Sequence, residues 1–224
     1  MTPHVFYLHG FASSPASGKA SYLTERLARH RIRLRCPDFN QPDFATLTIT
    51  RMLDQLGREI EAAGSGPVAL IGSSLGGTLA ILAADRFGPR VTQLVLLAPA
   101  VMFARPGHHL FSHERVDEWR RRGVLPIFHY ADKKERPLNF SFYEDSVRYN
   151  AFHARCVQPT LIIQGVRDAS VDPRTVEAFA QGRQNVTLAL VDDDHQLMAS
   201  LPRIWSDTET FLGLTTCNTS SAWR

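Results

Sequence analysis

The stretch Leu70-Ile71-Gly72-Ser73-Ser74-Leu75-Gly76-Gly77 limits what this chain can fold into more than any other. The apolar, β-prone run Val68-Ala69-Leu70-Ile71 precedes it, and Thr78 to Ala84, with the composition of a buried helix, follows it. Strand, sharp turn and helix in that order place Ser74 at the apex of the turn, in a G-x-S-x-G pattern. Glycine at 72 and 76 lets neighbouring backbone approach without a Cβ clash. A helix N-terminus directly behind the serine hydroxyl favours negative charge developing there.

On either side the chain repeats one rhythm. Val5 to Leu8 reads as a strand ending in His9-Gly10 and a small-residue loop. Ala20, Leu23 and Leu27 recur at helical spacing between Ser17, a plausible cap, and about His30. Ile32 to Cys36 alternates apolar and basic residues, as a half-covered strand does, and Ile49, Met52, Leu53, Leu56 and Ile60 mark one helix face. After the Ser74 unit, Leu94 to Ala98 reads as a buried strand, Thr160 to Gln164 as a fifth and Val186 to Val191 as a sixth. Asp172-Pro173 opens one helix, and Leu201, Ile204, Trp205, Thr208, Phe211 and Leu212 outline the last. Parallel neighbours need crossover connections, so this alternation predicts a six-stranded, mostly parallel, doubly wound α/β sheet.

Residues 101–156 break the rhythm. They hold ten aromatic residues and His108, His109, His113, His129 and His153, and are read as a helical lid insertion with its own short helices. The histidines lack metal-ligand spacing, and packing is the plainer role for the aromatics. The expected organisation is one domain over residues 1–214, with the lid at about 101–156 and a flexible polar tail at 215–224.

Composition excludes several classes of function. A net charge of +3 with nearly balanced acids and bases offers no footprint for nucleic acid, and Arg120-Arg121-Arg122 reads as a solvated helix face. Cys36, Cys156 and Cys217 are too few and too scattered for a disulfide framework or a zinc site, which points to a reducing compartment. Without a charged leader or an apolar run near ~18 residues, the expectation is a soluble cytoplasmic protein with no integral membrane segment. No pattern fixes the oligomeric state.

Reactive groups of such sheets collect in loops beyond the strands' carboxyl ends. His9-Gly10-Phe11, Ser74, Asp168 and His195 all occupy that position. Serine, then acid, then histidine is the chain order of the α/β-hydrolases. Ser74 is the candidate nucleophile, and His195, between the last strand and the last helix, the candidate base. Asp168, the first carboxylate after the fifth strand, is the candidate acid. Asp172 is better placed as a helix cap, and Asp192, Asp193 and Asp194 read as a solvated turn. His9 is expected to support the loop that follows it rather than take a proton. The backbone N–H groups of Phe11 and Leu75 are the candidate oxyanion hole, with Gly10 permitting the approach. No metal or organic cofactor is called for; the partner is a small-molecule ester.

The segment Tyr7-Leu8-His9-Gly10-Phe11-Ala12-Ser13-Ser14-Pro15, with Ser17, Lys19 and Ala20 and later Pro37-Asp38, resembles the small bacterial esterases of the YqiA type. Ile71 to Gly77 is similar to their nucleophile motif. The likeness is specific over about the first hundred residues; beyond them the triad positions and strand order carry it. It implies a compact α/β-hydrolase, lacking the first two antiparallel strands of the full fold, that hydrolyses carboxylic esters with a preference for short acyl chains. Two departures stand out. Asp192-Asp193-Asp194 occurs where these enzymes often have glycine, and the lid is longer and more aromatic, its Gly123 to Tyr149 portion distantly resembling depalmitoylating thioesterases. The leading expectation is a serine carboxylesterase for short- to medium-chain esters. A thioesterase or acyl-glucuronide-type esterase is the alternative, and a catalytically silent hydrolase-fold binding module the remote one.

Overall fold

The computed structural model describes residues 3–104 and 112–214. His108, His109, Phe111, Cys217 and the tail at 215–224 lie outside the described residues.

Strands β1 (His4–Leu8), β2 (Leu34–Arg35), β3 (Val68–Ser73), β4 (Val91–Leu97), β7 (Thr160–Gly165) and β8 (Val186–Val191) form one sheet in the order β2-β1-β3-β4-β7-β8. Every pairing in it is parallel. Among the described residues no antiparallel strand joins this sheet. β2 is only two residues long, shorter than the five-residue strand expected, because Arg31 turns the backbone at φ 59° just before it and Pro37 follows it. A proline lacks the N–H that would extend the ladder.

Successive residues of a strand face opposite sides, and here both sides are covered. Phe6, Leu8, Val68 and Leu70 point into the core beneath helices α2 (Ile49–Ala62), α3 (Leu75–Phe87) and α6 (Pro173–Ala180). Val5, Tyr7, Ala69 and Ile71 point into the core beneath α1 (Gly18–Ala28) and α7 (Leu201–Phe211). The helices follow their sequence signals. Ser17 caps α1 by accepting from the Ala20 amide, Thr48 caps α2, and Asp172 caps α6 with Pro173 behind it. Leu23 and Leu27 of α1 are fully buried, each stabilising the fold by about 1.5–3 kcal/mol.

The segment between β4 and β7 holds α4 (His113–Arg122), the antiparallel hairpin β5 (Val124–His129) and β6 (Lys134–Asn139), and α5 (Ser141–Ser146). The hairpin corrects the expectation of short helices alone. Its sequence alternates strictly: Leu125, Ile127 and His129 are buried while Val124, Pro126 and Phe128 face out. Pro126 opposite Pro137 is allowed because both strands of a two-stranded sheet are edges.

Trp119, Phe142 and Phe44 are at most 1% exposed, Trp119 donates its indole N–H to the Leu138 carbonyl, and Phe142 stacks on both Trp119 and Phe11. The insertion's aromatics are therefore mainly packing. Asp145 of α5 clamps the insertion onto α2: its carboxylate accepts from the Thr50 amide at 2.8 Å and the Thr50 hydroxyl at 2.5 Å. A carboxylate at a helix N-terminus is further favoured by the helix dipole.

Candidate active site

Ser74 follows β3 and precedes α3 with φ 53° and ψ −115°, a conformation L-residues avoid. The surroundings hold it there. The Ser74 amide donates to the Leu97 carbonyl at 3.0 Å, its carbonyl accepts from Ala100 N–H at 3.1 Å, and Thr78 donates its hydroxyl to the Ala100 carbonyl. Glycine is required beside the turn: a β-carbon on Gly76 would lie 1.9 Å from the Leu8 carbonyl oxygen, and one on Gly72 would lie 2.3 Å from the Gly76 oxygen. At Gly10 a β-carbon would meet nothing closer than 3.4 Å. Glycines 72 and 76 permit the close approach, as expected, whereas a side chain at Gly10 would find only ordinary contact distances.

His195 lies 3.1 Å from the Ser74 Oγ through Nε2 and 2.8 Å from Asp168 Oδ2 through Nδ1. An ionised carboxylate only accepts, so Nδ1 carries the proton and Nε2 is left to accept from the serine hydroxyl. Asp168 follows β7, and its side chain is fully buried. Oδ1 accepts from the amides of Ser170 and Val171, each at 2.8 Å, and Oδ2 accepts from Gln164 Nε2 at 3.0 Å besides His195. Burial pushes its carboxyl up, but the His195, Val171 and Gln164 hydrogen bonds outweigh that and hold it below the ordinary carboxylate value.

The loop after β1 lies against the same turn, since a β-carbon at Gly10 would touch the Ser74 Cβ at 3.5 Å. Phe11 is the next residue, its ring against Phe44 and Phe142. Leu75 is the first residue of α3, where helix N–H groups have no partner one turn back. The His9 ring is taken up by Phe39 and Gly10. Its Nε2 accepts from the Phe39 amide at 3.1 Å, so its Nδ1–H donates to the Gly10 carbonyl at 2.9 Å. Burial holds the ring below the usual histidine value, against the pull of Asp38. Supporting the loop, as expected, is what this geometry does. From outside, Tyr130 N–H donates to the Ala12 carbonyl, and Asn40 donates to the Ser13 carbonyl while its own oxygen meets His129 at 3.2 Å.

The acidic triplet is not a uniformly solvated turn. Asp192 is exposed and pairs with Arg167, but Asp193 is 5% exposed, with its carboxylate accepting from the amides of Asp194 and Ser200 at 2.8 Å each. Asp193 thereby fastens the His195 loop to the start of α7. Two further residues are given no role by the sequence. Gln164 is fully buried in β7 beside the Asp168 carboxylate. Lys19, 7% exposed, donates to the Gln196 carbonyl at 2.7 Å. A signal for Lys19 existed, since it is one turn before Leu23 and two before Leu27 on the buried face of α1.

A profile of the uncharacterised protein family UPF0227 matches residues 4–207. No curated protein sequence matches the chain. Among solved structures, Est1E from Butyrivibrio proteoclasticus with ferulic acid bound aligns with a TM-score of 0.82 and 20% identity, over 95% of this chain and 88% of that one. The α/β hydrolase domain-containing protein 10 from mouse aligns at 0.80 and 20% identity, over 96% and 91%. A monoacylglycerol lipase from Paleococcus ferrophilus aligns at 0.72 and 16% identity, over 96% of each chain. The fold is that of the α/β-hydrolases, as the strand order and the position of the serine turn anticipated.

Proposed function

The chain belongs to the uncharacterised protein family UPF0227, and from its fold and the surroundings of Ser74 we propose that it is a serine carboxylesterase acting without metal or organic cofactor. The observation that carries the reading is the hydrogen-bonded line from Ser74 Oγ through the His195 ring to Asp168, with Ser74 held at φ 53°.

In this reading His195 Nε2 takes the proton as the Ser74 oxygen attacks the ester carbonyl carbon. Asp168 keeps the ring in the tautomer that can accept and stabilises the imidazolium that forms. The backbone N–H groups of Phe11 and Leu75 receive the oxyanion, aided by the N-terminus of α3. The tetrahedral intermediate collapses, the C–O bond to the alcohol breaks, and the alkoxide leaves with the proton from His195. Water, deprotonated by the same ring, then attacks the acyl-enzyme, and the acid is released from Ser74.

Short- to medium-chain acyl groups fit best. The insertion's large aromatics Trp119 and Phe142 are buried against one another, and the partly buried Phe11 stacks on Phe142, so these rings are taken up by packing. In this reading the described residues of the insertion, 101–104 and 112–156, act as the lid that sets acyl size. Fold alone does not choose the chemistry, since a bromoperoxidase from Bacillus anthracis also aligns at a TM-score of 0.69; the argument rests on the side chains at Ser74.

The test is labelling by a fluorophosphonate probe together with hydrolysis of a p-nitrophenyl ester series from acetate to decanoate. Wild type labels rapidly and hydrolyses the short esters best, whereas Ser74→Ala does neither, its turnover falling on the order of 10⁶-fold with the fold intact. Faster cleavage of acyl-CoA thioesters, or rates that rise with chain length, would replace the esterase by a thioesterase with a larger acyl pocket. Failure of folded wild type to label would leave a hydrolase-fold binding module.

A further inference from the structure

We propose that Lys19 is a positioning residue for the reaction: its ammonium holds the loop that carries His195, so that turnover depends on the lysine's charge as well as on the histidine. This rests on the reading of Ser74, His195 and Asp168 as a hydrolytic triad.

Lys19 belongs to α1, an element that contributes nothing else to the triad. Its stem lies on the helix's buried stripe with Leu23 and Leu27, and its Nζ donates to the Gln196 carbonyl at 2.7 Å, joining residues 177 positions apart. Gln196 is the residue after His195, so this bond holds the Gln196–Leu197 peptide, one peptide beyond those that flank the imidazole's own Cα. The other ties come from the loop itself or from the β7 side. Arg167 N–H donates to the Asp193 carbonyl at 3.0 Å, Asp193 accepts from Asp194 and Ser200, and Asp194 accepts from the Gln196 amide at 2.8 Å. Lys19 is thus the brace from the α1 side.

The charges around it make that brace sensitive to protonation. Three carboxylates face it: Asp193 and Asp194 from the segment before α7 and Asp168 from the segment after β7. Burial pulls the ammonium down further than those carboxylates pull it up, and it titrates at about 8. A charged donor makes a hydrogen bond roughly twice as strong as a neutral one. Loss of the proton therefore weakens the hold on Gln196 and removes the positive charge of Lys19 from beside Asp193 and Asp194. The neighbouring Tyr7 and Cys36 titrate far above this range, at about 12 and about 11.

The experiment is the pH profile of kcat for p-nitrophenyl butyrate from pH 6 to 10, with spontaneous hydrolysis subtracted, in wild type, Lys19→Met and Lys19→Arg. Wild type loses activity above pH 8. Lys19→Met has kcat lowered about 10–100-fold, the range a displacement of ~1 Å or less at the base produces, and lacks that alkaline limb. Lys19→Arg, always charged, recovers part of the loss and shows no limb below pH 10. A Lys19→Met enzyme that is slowed but keeps the wild-type alkaline limb overturns the proposal, as does one with unchanged kcat. If Lys19→Met does not fold, Lys19→Arg decides: a limb still at pH 8 refutes it. Fluorophosphonate labelling separates the two readings, since wild type that labels and turns over while Lys19 proves dispensable removes this inference alone.

Discussion

Adding one methyl group at Gly76 sets two forces of known sign against each other. Gly76 is the second residue of α3, and by helix propensity alone alanine there stabilises by about 0.8–1 kcal/mol. The packing says the reverse: the new β-carbon would lie 1.9 Å from the Leu8 carbonyl oxygen, 2.6 Å from its carbon and 2.9 Å from the His9 oxygen. All three are backbone atoms at the end of β1, which is locked to β3 through Tyr7 opposite Ile71 and Leu8 opposite Gly72, so no rotamer change relieves them. Ordinary contact requires the serine turn and the Leu8–Phe11 segment to part by roughly 1.5 Å. The overpacking costs at least about 1–3 kcal/mol, more than the propensity gain. A displacement beyond ~1 Å between the oxyanion amide and the nucleophile lowers kcat/KM by on the order of 10²-fold. The assay is kcat/KM for p-nitrophenyl butyrate with a urea midpoint on the same preparation. Gly10→Ala is the control, because its β-carbon meets the Ser73 oxygen at 3.4 Å and should cost less than about tenfold. A Gly76→Ala protein with wild-type kcat/KM and an unchanged or raised midpoint would refute the reasoning.

Asp168→Asn keeps the shape but offers an amide where His195 Nδ1–H and the Ser170 and Val171 amides all need acceptors. The ring is driven into the tautomer that points a proton at Ser74, and kcat falls by about 10⁴-fold with KM little changed in steady-state kinetics. His9 and His129 are both held below the ordinary histidine value, chiefly by burial, so the unfolded chain binds more protons than the folded one as pH falls below about 6.5. Their contribution is complete above that pH and is lost below it. Urea unfolding free energy should drop between pH 6.5 and 5 by at most ~1.4 kcal/mol per pH unit for each ring, and His129→Gln should flatten that slope; an unchanged slope counts against a neutral buried ring.

The main sheet was legible because each apolar run must face one of two covered surfaces, and a residue such as Leu70 or Ile71 leaves no choice but burial. The proximity of Ser74, Asp168 and His195 was legible because they sit at strand ends, where the order of the chain maps onto position. The insertion was less so: Trp119, Phe140 and Phe142 pack on one another whatever element carries them, so their abundance does not reveal secondary structure. The alternation from Val124 to His129 was present, but two prolines across the pairing obscure a strand that only an isolated hairpin tolerates. Three consecutive aspartates look equivalent in sequence. Only the turn into α7 selects Asp193 to meet amides and leaves Asp192 in water.

The placement of His195 beyond β8, at one edge of the sheet, has a consequence for the proposed reactivity. Ser74 and His195 are separated by 121 positions, and β8 joins the sheet through β7, which in turn pairs with β4. Such long-range parallel pairings form late because the intervening chain must be closed first. On the proposed chemistry, a chain whose serine turn forms before β8 docks carries an ordinary alcohol, inert toward esters. In that reading acylation is a property of the completed molecule.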